Sequence, residues 1–210
     1  MIINKILFRF TKHGDIRFIS HHDLMRVFER VIRRADIPIA MSKGFNPHPK
    51  LSILLALGVG ISGIDEVLEL ELLQTIPAEI LIERLNSQLP DGIRILSAEA
   101  IPHYQKNPIL DVIYEIVFKD ENLLKNLDIH NLLQQTSIIA TRTKDDCKKT
   151  LNIRPFIQKI AIKHNSLTLS IKVTPEGTAR PEEVLQALHL NGRKESFEIT
   201  RTKVNLYSYT

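Results

Sequence analysis

Apolar and polar residues change period several times along the chain, and each change predicts an element. Residues 5–11 (KILFRFT) alternate well enough for a strand, residues 12–15 (KHGD) read as a turn, and residues 16–19 return to extended structure. Leu24, Phe28, Val31 and Ala35 then recur at helical spacing, with Val27 and Ile32 widening the stripe. The start of this helix is marked by Ser20-His21-His22-Asp23, a Ser-x-x-acid capping pattern, and its end by Pro38. At about 100° per residue, Arg26, Arg30 and Arg33 fall within roughly 60° of one another and opposite the stripe. One face is thus predicted to enter a core and the other to carry guanidinium groups.

Farther on, residues 51–57 predict a strand, Gly58-Val59-Gly60 a turn, and residues 67–73 a strand in which Glu69 and Glu71 alternate with Leu68, Leu70 and Leu72. Pro77 opens a helix over 78–89, and residues 93–101 form another strand. Residues 103–108 (HYQKNP) read as a linker, after which the pattern recurs: strand 112–118, helix 122–133 and strand 137–143. A hairpin follows, residues 157–162 and 167–173 around His164-Asn165-Ser166. Last come a helix from Pro181 to about Leu188, closed by Asn191-Gly192, and a strand over 197–207. The economical expectation is an α+β fold of two tandem ferredoxin-like (split βαβ) units with mostly antiparallel sheets, residues 1–104 and 109–210. The halves repeat an architecture and share no residue-level similarity.

Composition adds limits. With 43% hydrophobic and 25% charged residues, the chain has enough apolar material for a core. No apolar run approaches the roughly 18 residues of a membrane span, and MIINKILFRF lacks the features of a signal peptide, so the expected location is the cytoplasm, away from membranes. The single cysteine, Cys147, excludes an internal disulfide framework and a three-cysteine cluster site, and no cofactor is expected.

The net charge of +4 hides a segregation. Residues 1–50 hold ten bases against four acids, a balance of +6, and four of the eight histidines; residues 51–100 hold two bases against eight acids, a balance of −6. A polyanion or acidic partner would meet the basic quarter first.

Within that quarter two features stand out. Arg26, Arg30 and Arg33, with Arg34 alongside, have the fork geometry that pairs with phosphate, although a charged helix face is more often simply solvated. The stretch SKGFNPHPKLS has two prolines that fix their own backbones and push Asn46 and His48 to extended conformations, which would hold Asn46, His48 and Lys50 ready for recognition. Its structural alternative is a rigid crossover with Phe45 anchored in the core. The histidines lack metal-ligand spacing, so no metal site is expected. Thr168, Ser170 and Lys172, which face outward on the predicted hairpin, include no aromatic residue for base stacking on that sheet. Arg142, Lys144, Lys148, Lys149 and Arg154 offer further basic positions, with a solvated surface as their default.

The run from Phe8 to Gly63 resembles a family of bacterial radical-SAM-linked proteins of unknown function. The resemblance lies in Arg17 to Arg26 (RFISHHDLMR), Arg33-Arg34-Ala35, Gly44 to Lys50 (GFNPHPK), Leu57-Gly58-Val59 and the acidic strand from Glu69 to Glu71, with a weaker match at Asn152 to Phe156 (NIRPF). His22 and Ile64 depart from the family pattern. The resemblance implies a separate-chain partner of a radical SAM protein. Taken with the arginine face and the stiff loop, it leaves Arg17, Ser20, His21, Asp23, Arg26, Arg30, Arg33, Lys43, Phe45, Asn46, His48, Lys50 and Arg154 as candidate binding residues and none as catalytic. Three functions stand at this level. The first is an accessory protein that helps a radical SAM partner recognise an RNA or ribosomal component through the basic surface. The second is an independent RNA-processing enzyme with a histidine as acid or base, and the third an adaptor docking through Glu66, Glu69 and Glu71.

Overall fold

In the computed structural model, residues 4–102, 108–125, 127–144, 147–190 and 197–207 are described, at 144 and 147 by their backbone alone. The fold is mixed α+β with mostly antiparallel pairing, and the chain divides into two units, residues 1–108 and 109–210.

The first unit contains β1 (Asn4–Lys12), α1 (His21–Arg34), β2 (Leu51–Ile53), β3 (Ser62–Leu72), α2 (Ala78–Asn86) and β4 (Ile93–Ile101). Its strands lie in the order β4-β1-β3-β2, each pair antiparallel. Alternation puts Ile6, Phe8 and Phe10 of β1 and Leu68, Leu70 and Leu72 of β3 in one core, with Leu24, Phe28, Val31 and Ile32 of α1 and Leu81 and Leu85 of α2. Phe28 is fully buried and meets Phe10 edge-on at 5.1 Å between centroids.

The predicted cap forms: Ser20 Oγ accepts from the Asp23 N–H at 3.1 Å. The Asp23 carboxylate accepts from the Ser20 hydroxyl at 2.7 Å. Before the helix, the expected extended segment 16–19 is instead a 3-10 turn over Gly14–Phe18. The buried Lys12 explains it, because its ammonium draws in the Arg17 and Ile19 carbonyls at 3.2 and 3.1 Å and so curls the chain over the end of β1. Gly92 closes the same corner: its φ of +86° suits glycine, and a Cβ there would lie 2.4 Å from the His13 carbonyl.

The acidic strand is neutralised within its own sheet. Lys5 pairs with Glu69 at 2.7 Å, Lys50 with Glu71 at 2.5 Å and Arg9 with Asp65 at 3.1 Å, while Glu66 is 1% exposed. Glu66, Glu69 and Glu71 therefore do not form an open acidic face, contrary to what a docking role for this strand requires.

The second unit contains β5 (Ile109–Phe118), α3 (Ile129–Gln134), β6 (Ile139–Lys144), β7 (Cys147–Asn152), β8 (Ile157–Lys163), β9 (Ser166–Lys172), α4 (Pro181–Ala187) and β10 (Phe197–Leu206). Four strands run in the order β10-β5-β9-β8, and β6 and β7 form a separate two-stranded ladder. The single helix predicted over 122–133 is split into a 3-10 turn, Glu121–Leu124, and the short α3. Asp120 and Asp128 each accept a bond from a backbone N–H two or three residues on, so each starts a new turn. Strand β7 went unpredicted because CKKTLN has no alternation to betray it; pairing with β6 makes it a strand. The expected strand over 51–57 shortens to β2, and all but the last residue of the predicted linker at 103–108 and the Asn191-Gly192 stop lie outside the described residues.

Replacing Phe28 by Ala is expected to cost about 3–5 kcal/mol of stability through lost burial and a residual cavity. Ser20→Ala should cost about 1 kcal/mol through the lost cap. Urea unfolding of the full chain, followed by circular dichroism, checks both.

A basic groove beside a proline-braced loop

Because α1 buries Leu24, Phe28 and Val31, its opposite face must point away from the sheet, and Arg26, Arg30 and Arg33 are all exposed. These three arginines line a groove of about 650 Å³ together with Ile32, Met41 and Pro49. Ile37, which is buried, and the half-buried Pro38 and Ile39 are in the same lining and give the groove an apolar floor. Glu29 and Asp36 share the rim, so it is positive by a single charge if all five groups are ionised. Arg26 makes an exposed ion pair with Asp23 at 3.4 Å; among the described residues, no hydrogen bond or ion pair engages the side chain of Arg30 or Arg33.

The loop that follows is closed like a clasp. Met41 and Pro49 form an isolated antiparallel bridge, Lys50 N–H donates to the Ala40 carbonyl at 2.8 Å, and Ser42 N–H to the His48 carbonyl at 2.7 Å. His48 N–H returns a bond to Ser42 Oγ at 2.9 Å. Gly44, at φ +142°, makes the reversal that a side chain would resist. Lys43, Asn46 and His48 stand exposed on this clasp, and Phe45 at its tip has a relative exposure of 107%. Phe45 is therefore no core anchor.

The remaining candidates do other work. Arg17 sits with its guanidinium 5.0 Å from the Phe18 ring centre, and its carbonyl accepts bonds from Lys12 and the Gly60 N–H. Ser20 and Asp23 belong to the helix cap, whose hydroxyl bond, aided by Arg26, lowers the Asp23 carboxyl below its ordinary range. His21 has a buried Nδ1 without a hydrogen-bond partner among the described residues, and burial, His22 and Lys12 together lower its pKa, favouring the neutral ring. Lys50 is held by Glu71. Arg34 leaves the arginine face altogether and donates to the Gln88 carbonyl at 2.7 Å, fastening α1 to the segment after α2.

Arg154 is engaged within its own unit. Its guanidinium donates to the Leu133 carbonyl at 3.1 and 2.5 Å and to the Ile157 carbonyl at 2.9 Å, so three of its five N–H donors tie the end of α3 to the start of β8. Asn152 completes this brace, its side-chain oxygen accepting from the Ile138 and Arg154 N–H groups at 2.9 and 3.1 Å. The NIRPF stretch thus serves as an internal staple. Arg142 is likewise committed, forking onto Glu183 at 2.6 and 2.8 Å and onto the Thr178 carbonyl at 2.7 Å. Burial would raise the Glu183 carboxyl, but the Arg142 fork, the Arg180 N–H and the charges of both arginines bring it below its usual value.

The groove floor was the part that sequence reasoning missed. Its signal was present in Ile37-Pro38-Ile39, an apolar run just past a helix end, where the chain turns to meet β3: the Ala40 N–H reaches the Glu71 carbonyl at 2.7 Å, and the Leu73 N–H the Pro38 carbonyl at 2.8 Å.

Among the described residues no group of three or more metal-ligating side chains occurs. The chain belongs to the bacterial family described as "Uncharacterized protein conserved in bacteria (DUF2344)", whose model matches residues 5–184. No curated protein matches it. One solved structure, an unknown protein from Galdieria sulphuraria, is similar at 11% identity and a TM-score of 0.28, over 99% of this chain and all of that one, too slight a likeness to bear on fold or function. No described helix is long and apolar enough to cross a membrane.

Two outcomes separate staple from surface. Arg154→Ala should lower stability by about 1.5–3 kcal/mol, since two carbonyls lose a charged donor, whereas Arg30→Ala should change it by no more than about 0.5 kcal/mol. Glu183, with a depressed folded pKa, contributes stability that is complete above its unfolded pKa and lost as pH falls through the folded value. Glu183→Gln should accordingly flatten that part of the acid-unfolding profile, measured as urea midpoints between neutral and acid pH.

Proposed function

We propose that this protein is an accessory, substrate-recognising partner of a radical SAM protein, and that it binds RNA or a ribosomal component through the arginine groove and the loop beside it. The observation that carries the binding half is the groove itself, where three exposed arginines face an apolar floor and adjoin a clasp presenting Lys43, Phe45, Asn46 and His48. Asp65, Glu69 and Glu71 of β3 are paired with Arg9, Lys5 and Lys50, and Glu66 is buried, which leaves this groove as the strongest described candidate for an anionic ligand. The radical SAM half rests on the resemblance of RFISHHDLMR, GFNPHPK and NIRPF to a radical-SAM-linked family. The strand orders β4-β1-β3-β2 and β10-β5-β9-β8, each antiparallel, support reading both units as ferredoxin-like, with β6 and β7 as an insertion in the second. On this reading the protein works in the cytoplasm.

Binding by the three arginines predicts a specific salt response. Affinity for single-stranded RNA should fall with a log–log slope of about −2, from roughly 0.7 per phosphate contact, and Arg30→Ala should remove about 0.7 of it. Glu29→Gln should tighten binding, because it removes a like charge from the rim. Affinity without salt dependence, or unchanged in both variants, would remove RNA from the proposal. Affinity purification of the chain from its native cells tests the partner: a radical SAM protein in the eluate is the expected outcome, and its absence would separate the chain from that chemistry.

A further inference from the structure

We infer that Phe45 is a stacking platform for an unpaired base, which makes the groove and its loop a site for single-stranded RNA in preference to duplex. The inference rests on the RNA reading above and narrows its substrate class. A phenylalanine with a relative exposure of 107% has withdrawn its ring from its own protein, a cost in water that an incoming apolar face would recover. The ring is also presented in a restrained way: the Ser42–His48 bonds, the Met41–Pro49 bridge and the Gly44 reversal close the loop beneath it, so little backbone freedom remains to be lost on binding.

The neighbouring groove fits the same ligand. Arg26 to Arg33 spans seven residues, about 10 Å of helix axis, the reach of roughly three stacked nucleotides at about 3.4 Å each. Arginines on the rim can follow phosphates while Pro38, Ile39 and Met41 offer an apolar surface to a base. Glu29 and Asp36 on that rim oppose retention by charge alone, so an uncharged contribution such as stacking has to carry part of the affinity. A duplex hides its base faces within the helical stack, and the deep, narrow major groove of A-form RNA closes the base edges to side chains. An unpaired strand exposes both faces. Phenylalanine has no polar atom to read base edges, so the platform would accept any base.

The test uses the full chain and a fluorescein-labelled RNA dodecamer of mixed sequence, free or annealed to its complement, followed by fluorescence anisotropy. Wild type should bind the single strand more tightly than the duplex. Phe45→Ala should weaken single-strand binding by about 5- to 150-fold, leave the salt slope unchanged, and abolish the preference, while Phe45→Tyr should restore it. A strand with abasic positions should bind wild type as weakly as the intact strand binds Phe45→Ala. Binding that keeps its arginine-dependent salt slope but ignores Phe45, or favours duplex, would overturn the stacking inference and leave the RNA reading standing. No binding of either RNA would overturn both. Displacement of the strand by an amphipathic Glu/Leu peptide at lower concentration, with Phe45→Ala neutral for RNA, would assign the groove to a protein segment.

Discussion

The burial of α1 on the first sheet, centred on Phe28 against Phe10, is the constraint from which the rest of the candidate site follows. A helix with one apolar stripe has one orientation that hides it, and that orientation turns Arg26, Arg30 and Arg33 outward together. The same seating fixes the helix end, from which Ile37 to Ile39 form the groove floor and Ala40 reaches β3. Everything the groove offers, cationic rim, apolar base and adjacent clasp, is set by which side of one helix is dry.

A second principle is the allocation of positive charge. The unit-by-unit geometry divides the arginines and lysines into those with internal employment and those without it. Lys5, Arg9 and Lys50 answer the carboxylates of β3, Lys12 gathers carbonyls at a corner, Arg34 ties α1 to the segment after α2, and Arg142 and Arg154 staple the second unit. A charged hydrogen bond to a partly buried carbonyl or carboxylate stabilises more than a solvated charge does, so these side chains are held in place by folding itself. The arginines facing the groove are the contrast, since Arg30 and Arg33 lack such a bond among the described residues. Net charge by segment could not have made this distinction: the +6 quarter contains both kinds.

Several elements were legible in advance because a local rule dictated them. The Ser20 cap, the α1 stripe, the alternation of β3 and the clean hairpin of β8 and β9 each follow from neighbours a few residues away. Elements that failed did so where a side-chain bond to nearby backbone overrode the apolar pattern, or where only pairing with another strand made the strand. Lys12 curled residues 14–18 into a 3-10 turn, two aspartates divided the helix near 122–133, and β7 became a strand only through β6. The loop GFNPHPK was legible as stiff, but Phe45 read equally well as a buried anchor, because hydrophobicity does not say which side of a loop a ring occupies.

By itself, then, the sequence determined the amphipathic helix with its arginine face, the positions of most strands, the stiffness of the proline loop and the membership of a bacterial family. These depend on periodicity, capping and backbone restriction, which act over one or two turns of chain. Tertiary structure alone decided which cations are spent, that NIRPF is a staple, that Phe45 faces solvent and that the loop and the arginines border one groove. Such facts depend on residues far apart in sequence meeting at hydrogen-bond or van der Waals distance, and only the packed chain brings them there.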